Sequence, residues 1–101
     1  MSKVSVIDTL KCQDGKAREI EVVLSAMVEA ARGETDVEIY SYHRGEDNTF
    51  WFFALMADEA SMRNHGQNEA TKAAMSSFMP LAAGPPKMMT TTPIAAIGLD
   101  L

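Results

Sequence analysis

The chain has 101 residues, 47% of them apolar, and carries 14 acidic against 9 basic side chains for a formal net charge of −5. That apolar content exceeds what a disordered chain carries, and the length suits one domain, residues 1–101, with a core over 3–94 and a tail over 95–101. The acidic balance, with no cluster of Lys or Arg, excludes nucleic acid and anionic membrane surfaces as partners, since both require a basic stripe.

No apolar run reaches the length of a membrane span, and Met1-Ser2-Lys3-Val4 does not begin a signal peptide. A lone cysteine, Cys12, cannot form an internal disulfide, so the expected compartment is the cytoplasm. Cys12 itself reads as a small apolar residue near a strand end.

Val4 to Leu10, VSVIDTL, is short and β-branched, as a strand should be. Neither of its faces is cleanly polar, so cover on both sides is expected. Asp8 is the odd residue. It is read as a strand-end aspartate reaching solvent or a neighbouring amide, in preference to an inward polar group. Lys11 to Gly15 turns the chain, with Asp14 expected to cap the helix that follows. Lys16 to Arg32 is that helix: Ala17, Ile20, Val23, Leu24, Met27, Val28 and Ala31 form one apolar stripe at three- and four-residue spacing. Gly33 stands where a left-handed stop is wanted.

Val37 to His43 is a second strand and Thr49 to Met56 a third. The polar, glycine-containing loop Arg44–Asn48 joins them as a hairpin. A regular hairpin sets Tyr42 near Phe50, Tyr40 near Phe52 and Glu38 near Ala54, with Met56 extending the same face. Trp51, Phe53 and Leu55 occupy the other face. A strand apolar on both sides must be covered on both, and the expected cover for the second face is another copy of the same sheet, a homodimer. The tail folding back is the other possible cover.

Asp58 is expected to cap a short helix through about His65. Gly66-Gln67-Asn68 interrupts it, and Asn68 caps a further helix from Glu69 to about Met79 with Ala70, Ala74, Met75, Phe78 and Met79 inward. Pro80 limits that helix, and Gly84-Pro85-Pro86 ends the segment. Lys87 to Ile94 is the fourth strand, and Ala95 to Leu101 a poorly patterned tail. The order β-α-β-β-α-β, with its second helix split, is the α+β ferredoxin-like arrangement with a four-stranded antiparallel sheet and helices on one face only.

Chemistry is approached by elimination. His43 and His65 lie on different elements, and no CxxC or HExxH spacing exists, so no metal is expected. No Walker loop or GxGxxG occurs, so no cofactor is expected either. What remains is an apolar pocket between the sheet and the split helix, with Tyr40, Tyr42, Glu38, Asn64 and His65 as its polar groups. Such a pocket suits a flat aromatic ligand. His65 has two readings, a cap at the end of its helix or a pocket group. The methionines Met62, Met75, Met79, Met88 and Met89 read as adaptable core filler or as pocket lining.

The segment Thr49–His65, TFWFFALMADEASMRNH, resembles the strand–turn–helix signature of the antibiotic biosynthesis monooxygenase domain family, small dimeric α+β barrels. Thr49, Phe50, Asp58 and His65 match its pattern in register, and Tyr40 matches a tyrosine common in the preceding strand. The helix over 16–32, the split second helix and Gly84-Pro85-Pro86 agree as well, so the resemblance covers about residues 3 to 94. Two positions depart from it: Ala54 stands where the family commonly has Glu, and Met56 where it commonly has Trp. Glu38, expected opposite Ala54, is the candidate replacement for that carboxylate.

The resemblance implies a monooxygenase that oxidises an electron-rich small aromatic, an anthrone or a quinol, with O2 and without metal or flavin. The substrate's own carbanion supplies the electrons. By that resemblance His65 is the catalytic proton-transfer group, Tyr40 and Asn64 orient substrate oxygens, and Phe52 and Met56 line the pocket, with Tyr42 and Glu38 beside them. Imidazole is the side chain whose ordinary titration lies near neutrality, which suits proton removal from a phenol-like carbon acid. A haem-degrading branch of the family needs Asn, Trp and His where this chain has Asp8, Met56 and Met75, so haem degradation is not expected. A non-catalytic, dimeric ligand-binding or stress-associated protein is the second reading, and an isomerase or cyclase on the same scaffold the third.

Overall fold

The computed structural model describes residues 3–66 and 69–99. In chain order it has strand β1 (Val4–Lys11), helix α1 (Ala17–Ala31), strands β2 (Val37–Arg44) and β3 (Thr49–Met56), helices α2 (Glu59–Gly66) and α3 (Glu69–Phe78), a 3-10 turn Met79–Leu81, and strand β4 (Lys87–Thr91). The strands form one antiparallel sheet in the order β2-β3-β1-β4, an α+β ferredoxin-like arrangement. Among the described residues no helix is long and apolar enough to cross a membrane.

Helix α1 buries Ile20, Leu24, Met27 and Ala31, one side chain per turn along the expected stripe, while Arg18, Glu19, Glu21, Ser25 and Glu29 face out. With Leu10, Cys12 and Phe50 from the sheet and Phe78 from α3, these α1 side chains form the tightest part of the core. Each such aliphatic or aromatic group contributes roughly 1.5–3 kcal/mol by leaving water. Of the α3 residues expected inward, Phe78 is buried and Ala74 and Met75 are half-buried. Ala70 and Met79 are exposed.

Both ends of α1 differ from expectation. Lys16 is the N-cap residue and offers no side-chain hydrogen bond; Asp14 instead accepts from Asn48 Nδ2 at 2.8 Å, tying the β1–α1 turn to the hairpin loop. The helix ends without a left-handed glycine. Arg32 keeps helical angles, and its N–H and that of Glu34 close turns onto Glu29 O and Ala31 O. The Asp58 cap is as expected: its Oδ1 accepts from the Ser61 N–H and hydroxyl, both at 2.8 Å. The Asn68 cap and the break at Gln67 lie outside the described residues.

The β2–β3 hairpin is tighter than a regular five-residue loop. Gly45 N donates to Thr49 O at 2.8 Å, and Asp47 and Asn48 close the turn at φ 55° and 60°, where their short polar side chains are tolerated. A Cβ on Gly45 would meet Thr49 O and Trp51 Nε1 at 3.1 Å, so any other residue there would press on both. The register therefore moves by two residues from expectation: Arg44 faces Phe50, Tyr42 faces Phe52 and Tyr40 faces Ala54. A shift of two keeps every side chain on its face. An irregularity between Val37 and Ile39 turns Glu38 out of the series altogether.

On the helix-free face, Ile7, Trp51 and Met89 are 41%, 49% and 66% exposed. Phe53 is half-buried. Leu55, expected to await a partner, is only 1% exposed in the single chain, flanked by Ser5 and Ile39 of the adjacent strands. Strand β4 stops at Thr91, short of the expected Ile94. Pro93 has no N–H with which to continue the ladder, and Ile94 and Ile97 stand fully in solvent.

Candidate functional site

Between the inner face of the sheet and helices α2 and α3 lies a cavity of about 560 Å³. Strand β1 contributes Val6 and Asp8, β2 contributes Tyr40 and Tyr42, and β3 contributes Phe52 and Met56. Met27 closes it from α1, Met62, Arg63 and His65 from α2, and Thr71 and Met75 from α3, with Pro86 and Met88 on the β4 side. The wall is apolar and aromatic with a few polar groups, and the volume is that of a small-molecule site. The exposed Arg63 and Met88 mark its rim.

Of the residues expected to form a site, His65, Tyr40, Tyr42, Phe52 and Met56 are brought together here. Glu38 is not. The β2 irregularity sends it to the surface, where it pairs with Lys3 Nζ at 2.7 Å, so it does not supply a carboxylate opposite Ala54. Asn64 is exposed on α2 and outside the lining; with Ser61 and His65 one turn apart on the buried side, the intervening Asn64 points away.

His65 is buried, and its Nδ1 meets Glu34 Oε2 at 2.8 Å across 31 residues of sequence. Both side chains are largely covered, at 11% and 20% exposure. The imidazole therefore binds a carboxylate from the α1–β2 connection, and the helix-cap reading does not describe it. Tyr40 packs edge-on against the His65 ring with centroids 5.1 Å apart and against Phe52 at 4.8 Å; Tyr42 lies on Phe52 at 4.7 Å. Tyr42 donates its hydroxyl to Met27 Sδ at 3.6 Å. Burial pushes both phenols above the usual tyrosine range, and for Tyr42 the neighbouring Tyr40 and Asp8 add to it. Both remain neutral hydrogen-bond donors at physiological pH.

One residue that bears on the site, Glu34, escaped the sequence reading, and another, Asp8, was given the other of its two readings. Glu34 gives no local signal, since only the fold carries it to His65. Asp8 does give one: a single charged residue whose neighbours two positions away, Val6 and Leu10, are both buried. It points inward rather than to solvent. Its Oδ1 is buried and, among the described residues, has no hydrogen-bond partner. Burial raises its carboxyl to about 6, partly offset by the Thr9 amide. Among the described residues no three His, Cys, Asp or Glu side chains converge as metal ligands would.

No family model matches the sequence, and no curated protein matches it. Solved structures do match its fold, and the class they define is that of small α+β domains of the antibiotic biosynthesis monooxygenase type. A candidate antibiotic biosynthesis monooxygenase from Caulobacter crescentus superposes with a TM-score of 0.88 at 25% identity, over 93% of this chain and 92% of that one. A protein of unknown function from Nitrosomonas europaea gives 0.86 at 22% identity, over 99% and 97%. SnoaB from Streptomyces nogalater, described as a cofactor-independent oxygenase, gives 0.86 at 13% identity, over 98% and 100%. The chain thus resembles the antibiotic biosynthesis monooxygenases in fold along nearly its whole length.

Proposed function

We propose that the protein is a cofactor-independent monooxygenase acting on a small aromatic of the anthrone or quinol kind. The observation that carries this reading is the buried His65–Glu34 pair set in the wall of an apolar cavity large enough for such a ligand. With Glu34 as acceptor, the imidazole proton resides on Nδ1 and Nε2 is the base. In an anthrone, a base at the wall of this apolar, aromatic pocket removes a proton from the activated CH2. The carbanion reduces O2, and the resulting peroxide collapses, so that CH2 + O2 becomes C=O + H2O with one oxygen atom in each product. Tyr40, a neutral phenol, donates to a substrate oxygen, and Tyr42, its hydroxyl on Met27 Sδ, packs beside the ring. Phe52 and Met56 hold the ring.

The likeness of the fold to a described cofactor-independent oxygenase supports the same reading. Ala54 and Met56, in place of the family's Glu and Trp, favour a second one, in which the pocket binds its ligand without turning it over. Oxygen uptake with a panel of hydroquinones and anthrones separates the two. Turnover by wild type that falls roughly 10²–10⁴-fold in His65→Ala supports the enzyme. Ligand binding without His65-dependent uptake supports the binding protein.

We place a second copy of the chain against the helix-free face at Ile7, Trp51, Phe53 and Met89, where apolar surface is left open. Sedimentation as a monomer at micromolar concentration contradicts this homodimer. The cytosol is the compartment we assign, on a lone buried thiol, Cys12.

A further inference from the structure

We propose that Asp8 is the group that selects the ligand: the cavity accepts aromatics bearing a hydroxyl at the end that reaches β1, and the Asp8 carboxylate accepts its hydrogen bond. The inference deepens the function proposed above and rests on it.

Asp8 sits on an interior strand, with Phe52 beside it on β3 and Met88 on β4. An aspartate turned inward among such neighbours is unfavourable for the fold, and its buried Oδ1, without a partner among the described residues, adds to the cost. The hydroxyl of Tyr42, a residue that feels the Asp8 charge, is directed at Met27 Sδ. The other groups facing the cavity are Tyr40 from β2, Arg63 and His65 from α2 and Thr71 from α3; His65 is held by Glu34, and Arg63 lies on the rim beside Glu59.

Burial already pushes the carboxyl up to about 6. An apolar ligand lying over it desolvates it further unless that ligand brings a donor. A hydroxyl provides one, whereas the corresponding methyl ether does not.

The test is calorimetric titration, without oxygen, of naphthol and its methyl ether into wild type, Asp8→Leu and Asp8→Asn. Wild type is expected to prefer naphthol by roughly tenfold or more, the usual size of a hydrogen bond to a charged group. Asp8→Leu, similar in shape, is expected to bring the ratio to about one through loss of naphthol affinity. Asp8→Asn, which keeps an acceptor, is expected to retain part of the preference, which separates a lost hydrogen bond from a reshaped cavity. An unchanged ratio in Asp8→Leu, with His65-dependent oxygen uptake intact, overturns the inference alone. Failure of wild type to bind either compound overturns it together with the function on which it rests.

Discussion

The inner face of one sheet is used in two ways. At one end Leu10 and Phe50 lie under Ile20, Leu24, Met27 and Phe78, with α1 and α3 packed on each other, and the open space beside them is a groove edged by Glu21, Ser25 and Arg44. At the other end Val6, Phe52, Ala54 and Met56 lie under the short helix α2, and a cavity of about 560 Å³ stays open. The sheet is continuous between the two ends; the helix cover and the side chains differ. Large aromatic and branched residues from two helices fill the first end. The second has Ala54 in the sheet and adaptable methionines, Met62 and Met75, on the helices above. Polar groups follow the same division. Asp8, His65 and the two tyrosines stand at the loose end, where they are available to a ligand. The tightest packing and the candidate site thus lie toward opposite ends of one β-sheet.

Truncation at the two ends should break or sharpen this contrast most strongly. Phe50→Ala is expected to cost about 3–5 kcal/mol, because its fully enclosed site leaves a void. Met62→Ala, whose side chain already borders open space, is expected to cost about 2 kcal/mol or less, the low end for a methionine. Urea denaturation of both measures the difference; equal costs contradict the division.

The next effect is on turnover. Glu34→Gln keeps the size of the side chain but removes the charge that holds the His65 ring. We expect kcat to fall by roughly 10–100-fold with KM little changed, as for other groups that orient a reacting side chain. Steady-state kinetics decide, and a change confined to KM contradicts the role.

The smallest effect is present at only one end of the pH scale. Asp8 has a folded pKa of about 6 against an ordinary 3.8. Its protonated form suits the fold, so its contribution is fully present below 3.8 and is lost as pH rises through about 6. Asp8→Asn, which mimics the neutral acid, is therefore expected to match wild type at about pH 4 and to exceed it by about 1 kcal/mol at about pH 8, a figure reduced for partial solvent access. Thermal melts at both pH values check it. A variant more stable yet poorer at binding is what a functional, rather than structural, aspartate predicts.

Much of the architecture was legible because it rests on local rules. The α1 stripe follows helical period, the Asp58 cap follows from its position ahead of an apolar break, and the faces of β3 follow from alternation. The pocket residues on β2 and β3 were legible for the same reason: a two-residue register error preserves parity, so Tyr40, Tyr42, Phe52 and Met56 still share a face. Glu38 failed because the irregularity after Val37 has no signature in VEIYSYH. Asn64 failed because one residue in a helix is a turn of about 100°, enough to move from cavity to solvent. The Glu34–His65 pair spans a loop and a helix, and only tertiary structure creates it. Asp8 was visible but was given its commoner role at a strand end.

The central claim is that His65, held by Glu34, ionises an aromatic carbon acid in the cavity. The absorption spectrum of a hydroxyanthrone mixed with the protein under nitrogen tests it without requiring turnover. The account predicts that the anion band appears at a pH where the free compound is neutral, and that it is lost in His65→Ala while the compound still binds. Binding with no anion band in wild type, or an equal band in the variant, would contradict it.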